Sequence, residues 1–168
     1  MTHLRTLALL ALVFTSPALA ARVTVPGTTV SVDVPAGFVS MPADVKAIKY
    51  PRGAPPATVY SAPGSGWSAN VAFEVKNIPL RDVGLSSMLA AMVQSFEKMP
   101  GLGLRWVRHG LVRSGGREWI DLAFWVDGQD MPIYNHMRLT PVGDKALYVT
   151  ANVGKAFYSK PRLGVEKG

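Results

Sequence analysis

The chain has 168 residues, 48% of them hydrophobic, a formal charge of +7 and no cysteine. That is enough apolar material for the core of one domain, and it excludes disulfides, a cysteine-linked lipid, cysteine metal clusters and thiol chemistry. The basic excess favours acidic partners. Because the bases make no run of five, either a solvated surface or a dedicated anion-binding face accounts for them.

Residues 1–20 have the pattern of an export signal. Arg5 supplies a positive start, residues 6–14 a short apolar run, Pro17 a break, and Ala18-Leu19-Ala20 the small-x-small site that a signal peptidase reads. The run is about half of what a bilayer-spanning helix needs, so it is expected to be removed rather than to anchor the protein. The expected product is a periplasmic or secreted domain of residues 21–168, with no integral membrane segment after cleavage. Of the 18 basic residues only Arg5 falls in this segment and no acid does, so 17 bases face 11 acids, a charge of +6. Outside the cytoplasm the anionic candidates are lipid headgroups, envelope polymers or an acidic protein surface, not nucleic acid.

Val30, Val32 and Val34 alternate with Ser31 and Asp33, which predicts a half-buried strand over 28–34, closed by Pro35-Ala36-Gly37. The stretch 51–66, with Pro55-Pro56 and Pro63-Gly64-Ser65-Gly66, is expected to be loop and edge around a short strand at 57–61. Val71, Phe73 and Val75 mark another strand over 68–76. Residues 85–99 carry the helix signal: Leu85, Met88, Leu89, Met92, Val93, Phe96 and Met99 recur every three or four positions, and Pro100-Gly101 stops the pattern. Asp82 is placed to cap its start or to favour the positive end of its dipole. The three methionines are either core filler or, if that face is open, a binding surface.

Four strands are predicted after the helix, over 104–113, 117–126, 131–140 and 145–152, joined by Gly115-Gly116, Asp127-Gly128 and Pro141-Val142-Gly143-Asp144. Turns this short make an antiparallel meander. The residues beyond 154, with Pro161 among them, are expected to be a loosely ordered tail.

Val32-Asp33-Val34-Pro35-Ala36-Gly37-Phe38, Ala72-Phe73-Glu74-Val75, Gly115-Gly116-Arg117-Glu118-Trp119 and Ala146-Leu147-Tyr148-Val149-Thr150-Ala151 fall in an order that resembles the PsbP-like fold. That fold is shared by the oxygen-evolving accessory protein of photosystems and by the bacterial DcrB-like envelope proteins. The resemblance implies an α+β domain, an antiparallel sheet of about six or seven strands with one main helix packed on it. It also implies an accessory, docking or chaperone-like role, with a protein partner in the cell envelope and no shared catalytic set. Relatives usually close with a further helix, which the residues after 154 are too few and too proline-marked to supply.

Two groups are candidate sites. On neighbouring predicted strands, Tyr134, His136 and Arg138 share one face, as do Trp119, Asp121, Ala123 and Trp125. Asp121 and His136 are either a base pair or two metal ligands of a hydrolase or metal-dependent enzyme, or polar positions that satisfy one another. No motif nearby adds a nucleophile, a third ligand or a phosphate-cradling loop, so no cofactor is expected. The second group is an aromatic and cationic surface of Arg105, Arg108 and Arg113 around Trp106, with the indoles of Trp67, Trp119 and Trp125 and extended by Tyr134 and His136; for any one tryptophan, core packing is the competing role. Binding to an envelope protein leads, with an immunity or adaptor role toward a secreted effector as the alternative.

Overall fold

The computed structural model describes residues 21–50 and 55–158. The expected signal at 1–20 and the expected tail from 159 onward lie outside them, whereas the first residues of that tail are described and form a 3-10 turn, Lys155–Phe157. In chain order the elements are β1 (Ala21–Thr24), β2 (Ser31–Val34), β3 (Val39–Ser40), α1 (Ala43–Lys49), β4 (Thr58–Ser61), β5 (Asn70–Lys76), α2 (Leu80–Val83), α3 (Leu85–Glu97), β6 (Arg105–Ser114), β7 (Arg117–Val126), β8 (Ile133–Val142) and β9 (Lys145–Gly154). Seven strands form one antiparallel sheet in the order β3-β4-β5-β9-β8-β7-β6, and β1 pairs with β2 in a separate hairpin. The expected meander is β6 to β9, and β5 joins it beside β9.

Directly paired residues of an antiparallel sheet share a face, so the register divides the side chains into two layers. On one face Leu85, Met88, Leu89, Met92, Val93 and Phe96 of α3 pack against Ile120, Leu122, Phe124, Leu139 and Ala146. The helix ends near the expected point, and Met99 lies beyond it, 48% exposed. Asp82 does not cap α3: it belongs to the short α2, and the N-cap is Gly84. Farther along this face α1 closes a smaller cluster of Met41, Val59 and Ala72.

The opposite face is roofed by the hairpin. Val25, Val30 and Val32 are buried against Val71, Phe73, Trp119, Leu147, Val149 and Ala151. Alternation placed the β2 valines correctly; it did not show that β2 leaves the main sheet and lies on it. Among the described residues no helix is long and apolar enough to cross a membrane.

The turns follow from their glycines. Gly115 and Gly116 both have positive φ, 58° and 70°, the requirement of a two-residue hairpin turn matched to strand twist. Asp127-Gly128 does not make the expected tight turn, because six residues separate Val126 from Ile133. Gly128 is needed there for space: a Cβ would lie 2.5 Å from the Met131 carbonyl oxygen. Before β6, Gly103 combines φ 60° with a position where a Cβ would meet the Asp127 carboxylate. Gly103→Ala is expected to destabilise the fold by about 1–2 kcal/mol, the cost of a left-handed non-glycine residue, and to break the Arg105–Asp127 ion pair of 2.9 Å. Urea unfolding of the variant measures this.

Candidate functional site

The β7–β8 register sets Asp121 opposite Arg138, Ala123 opposite His136 and Trp125 opposite Tyr134, all on the hairpin face. The expected shared faces of these two strands are therefore present, and Asp121 and His136 touch. Their surroundings are more elaborate than alternation implied. Asp121 is 1% exposed and accepts three hydrogen bonds of 2.6 Å, from His136 Nε2, Arg138 Nε and Arg108 Nε.

Arg108 reaches the carboxylate because β6 carries a bulge. Trp106 pairs with Phe124 and Arg108 with Ala123, so Val107 is an extra residue with no opposite number. Without it, positions 106 and 108 would point the same way, as simple alternation has them. With it, Trp106 goes under α3 and Arg108 goes to the other face. There its side chain is 49% exposed, whereas that of Arg138 is 15% exposed.

Burial pushes the Asp121 carboxyl up, but the hydrogen bonds from His136, Arg138 and Arg108 outweigh it and hold the group well below the usual carboxylate range. The Asp121 hydrogen bond in turn raises the Arg108 pKa. The 2.6 Å contact to an ionised carboxylate makes His136 Nε2 a donor, so Arg108 Nη2, 3.0 Å from the same nitrogen, faces another donor. One carboxylate thus balances two guanidiniums, and the surplus positive charge sits on the exposed Arg108.

Beside this cluster three rings pack together, Trp125 edge to face with both tyrosines and the tyrosines tilted to each other. Trp125 lies 5.4 Å from Tyr134 and 4.9 Å from Tyr158, and the two tyrosines are 4.9 Å apart, centroid to centroid. Burial raises the Tyr134 pKa, while Arg108 opposes that shift. Tyr134 is buried and its two neighbours are partly buried. The result is an aromatic ledge with a cation at its edge.

The expected tryptophan and arginine surface does not assemble as one patch. Trp106 packs with Phe96 and Phe124 and donates to Glu97 at 3.3 Å. Arg105 is paired to Asp127, and Arg113 is exposed in register with Glu118. Trp119 is core, with Nε1 donating to the Ser114 carbonyl at 3.1 Å. Trp67 is distant from all of them in the sheet, at the α1 end of the other face. His109 and His136 lie on opposite faces, against Leu122 and Ala123 respectively. Among the described residues no three His, Asp or Glu side chains gather as metal ligands. The Asp121–His136 pair spends its contacts on two arginines, and the imidazole is 4% exposed. Sequence reasoning missed Arg108 as a partner of Asp121, and Trp125 and Tyr158 as one ledge.

No protein-family model and no curated protein matches the chain. Among solved structures it is similar to cyanobacterial PsbP (CyanoP) from Synechocystis, with a TM-score of 0.54 at 13% identity over 85% of each chain. It is also similar to the Ran-binding protein Mog1p of Saccharomyces cerevisiae, with a TM-score of 0.52 at 12% identity over 80% of this chain and 77% of that one. The seven-stranded antiparallel sheet with its main helix is a PsbP-like fold.

Proposed function

We propose that this protein is a non-catalytic accessory module of the bacterial envelope, exported and acting by binding another protein. The observation that carries the reading is the juxtaposition of the half-exposed Arg108 side chain, left with surplus charge by the Asp121 cluster, and the Trp125–Tyr134–Tyr158 ledge. Aromatic anchors edged by arginine are the residues that concentrate binding energy in protein interfaces. The surplus charge suits an acidic partner. The pattern of residues 1–20 supports export. That Mog1p, of the same fold, is a Ran-binding protein supports reading the scaffold as one for protein recognition.

The test is photo-crosslinking in living bacteria from a probe at position 158 in the full chain, with the mass of the recovered product measured. The expected result is a product beginning at Ala21 in the periplasmic fraction, joined to one acidic protein, with the crosslink lost in Trp125→Ala and in Arg108→Gln. Full-length product in the cytoplasm refutes the compartment, and crosslinks indifferent to both substitutions refute the surface.

A further inference from the structure

The other face of the sheet holds a cavity of about 530 Å³ between the end of α1 and the β7–β8 turn, within the usual size of small-molecule sites. Its floor is a row of three asparagines. Asn70 on β5 is opposite Asn152 on β9, which is opposite Asn135 on β8, so three amides stand side by side across adjacent strands. Asparagine is a poor strand residue, and on these three strands the next paired rows of this face carry Ala72, Thr150 and Met137, then Glu74, Tyr148 and Leu139, with no further amide.

Internal hydrogen bonding uses only part of that row. Asn70 Oδ1 accepts from Tyr50 OH at 3.3 Å and from Asn152 Nδ2 at 3.2 Å, and Asn135 Nδ2 donates to the Ile133 carbonyl at 3.1 Å. Among the described residues the amide oxygens of Asn152 and Asn135 and the amide nitrogen of Asn70 bond to no protein group. No side-chain nitrogen or oxygen is both buried and unpartnered. The floor therefore offers one donor and two acceptors, which hydroxyls, each both donor and acceptor, can engage.

The wall is Trp67. It is the one non-glycine residue with positive φ, 64°, among those described, a conformation costing a bulky residue about 1–2 kcal/mol. Hydroxyls hold the loop in that shape: Ser65 Oγ donates to the Ala62 carbonyl and Ser68 Oγ to the Ser65 carbonyl, both at 2.7 Å. The indole packs against the Met41, Val59 and Ala72 cluster and also lines the cavity, as does the 45% exposed Phe157. Among the described residues Lys49 and Asp130 are the only charged groups that line it, and their charges cancel.

We propose that this cavity binds a neutral saccharide, with the apolar face of a pyranose ring on Trp67 and its hydroxyls on the Asn70–Asn152–Asn135 row. An aromatic plate beside planar amides, with no net charge, fits a polyol better than a phosphate or a carboxylate. The site is separate from the ledge around Trp125 and goes beyond the protein-binding reading.

The experiment is titration of the purified domain with N-acetylglucosamine trimer, maltotriose and uridine, followed by tryptophan fluorescence and by the NMR signals of the asparagine side-chain amides. The expected result is saturable binding of a saccharide below about 10 mM, shifting the amides of Asn70, Asn135 and Asn152, and weakened at least about tenfold in Asn152→Ala and Trp67→Gly. Trp67→Gly removes the ring while relieving the left-handed strain, so it keeps a folded protein against which the loss is read. Trp125→Ala is expected to bind saccharide as the wild type does, which separates this site from the protein-binding surface. No saturable binding of either saccharide, tighter binding of uridine, or undiminished binding by Trp67→Gly overturns the proposal.

Discussion

Replacing Asp121 with asparagine is expected to cost about 3–5 kcal/mol of folding stability, the range for breaking a buried ion pair by removing one partner. The carboxylate is 1% exposed and is the common acceptor of Arg108, Arg138 and His136. In Asp121→Asn the two guanidiniums keep their charge and lose their counter-ion. Arg108, half-exposed, can turn to water; Arg138, 15% exposed, cannot do so without opening the sheet face. Urea unfolding at pH 7 measures the loss, and a value under about 1 kcal/mol would mean that the cluster behaves as a surface ion pair.

The same substitution has a pH signature. The folded-state pKa of Asp121 lies below its unfolded value of about 3.9, so the unfolded chain binds the extra proton first. The stabilisation is complete above that pH and is lost as pH falls toward the folded value. The gap between the wild type and Asp121→Asn is therefore expected to be constant from pH 7 down to about 5 and to narrow steadily below about 4. A gap that widened in acid would contradict the assignment.

The Asp121–His136 contact was legible in the sequence because it depends only on strand parity. Any register of β7 on β8 that keeps Trp119 and Tyr134 on the same buried face keeps Asp121 and His136 on one face, even though the connecting turn is longer than the Asp127-Gly128 pair suggested. Arg108 was not legible, since a one-residue bulge reverses parity and nothing in the string Trp106-Val107-Arg108 marks it. Helix α3 showed itself through six inward positions; α1 has seven residues, begins after Pro42 and leaves Ile48 75% exposed, so no stripe formed to be seen. The asparagine row lies beyond such reading altogether. Residues 70, 135 and 152 come together only through the β5-β9-β8 order, which pairs a strand before the helix with the last strand of the meander.

That order also separates the two cores, and Trp119→Ala is expected to expose the separation. Trp119 is 1% exposed among Val25, Val30, Val32, Leu147 and Val149, between the sheet and the β1–β2 hairpin. Truncation is expected to cost about 3–5 kcal/mol, as for other buried aromatic residues. Trp119→Phe, which keeps a ring but loses the hydrogen bond to the Ser114 carbonyl, is expected to cost about 1–2 kcal/mol. The hairpin roofs only this face, whereas α3 rests on Ile120, Leu122 and Phe124 of the other. Amide hydrogen exchange of Trp119→Ala under native conditions should therefore show β1 and β2 opening more readily in local fluctuations, with α3 losing protection only by the global loss of stability. Equal extra loss in α3 would mean that the two layers open as one unit and that the hairpin is not an independent roof.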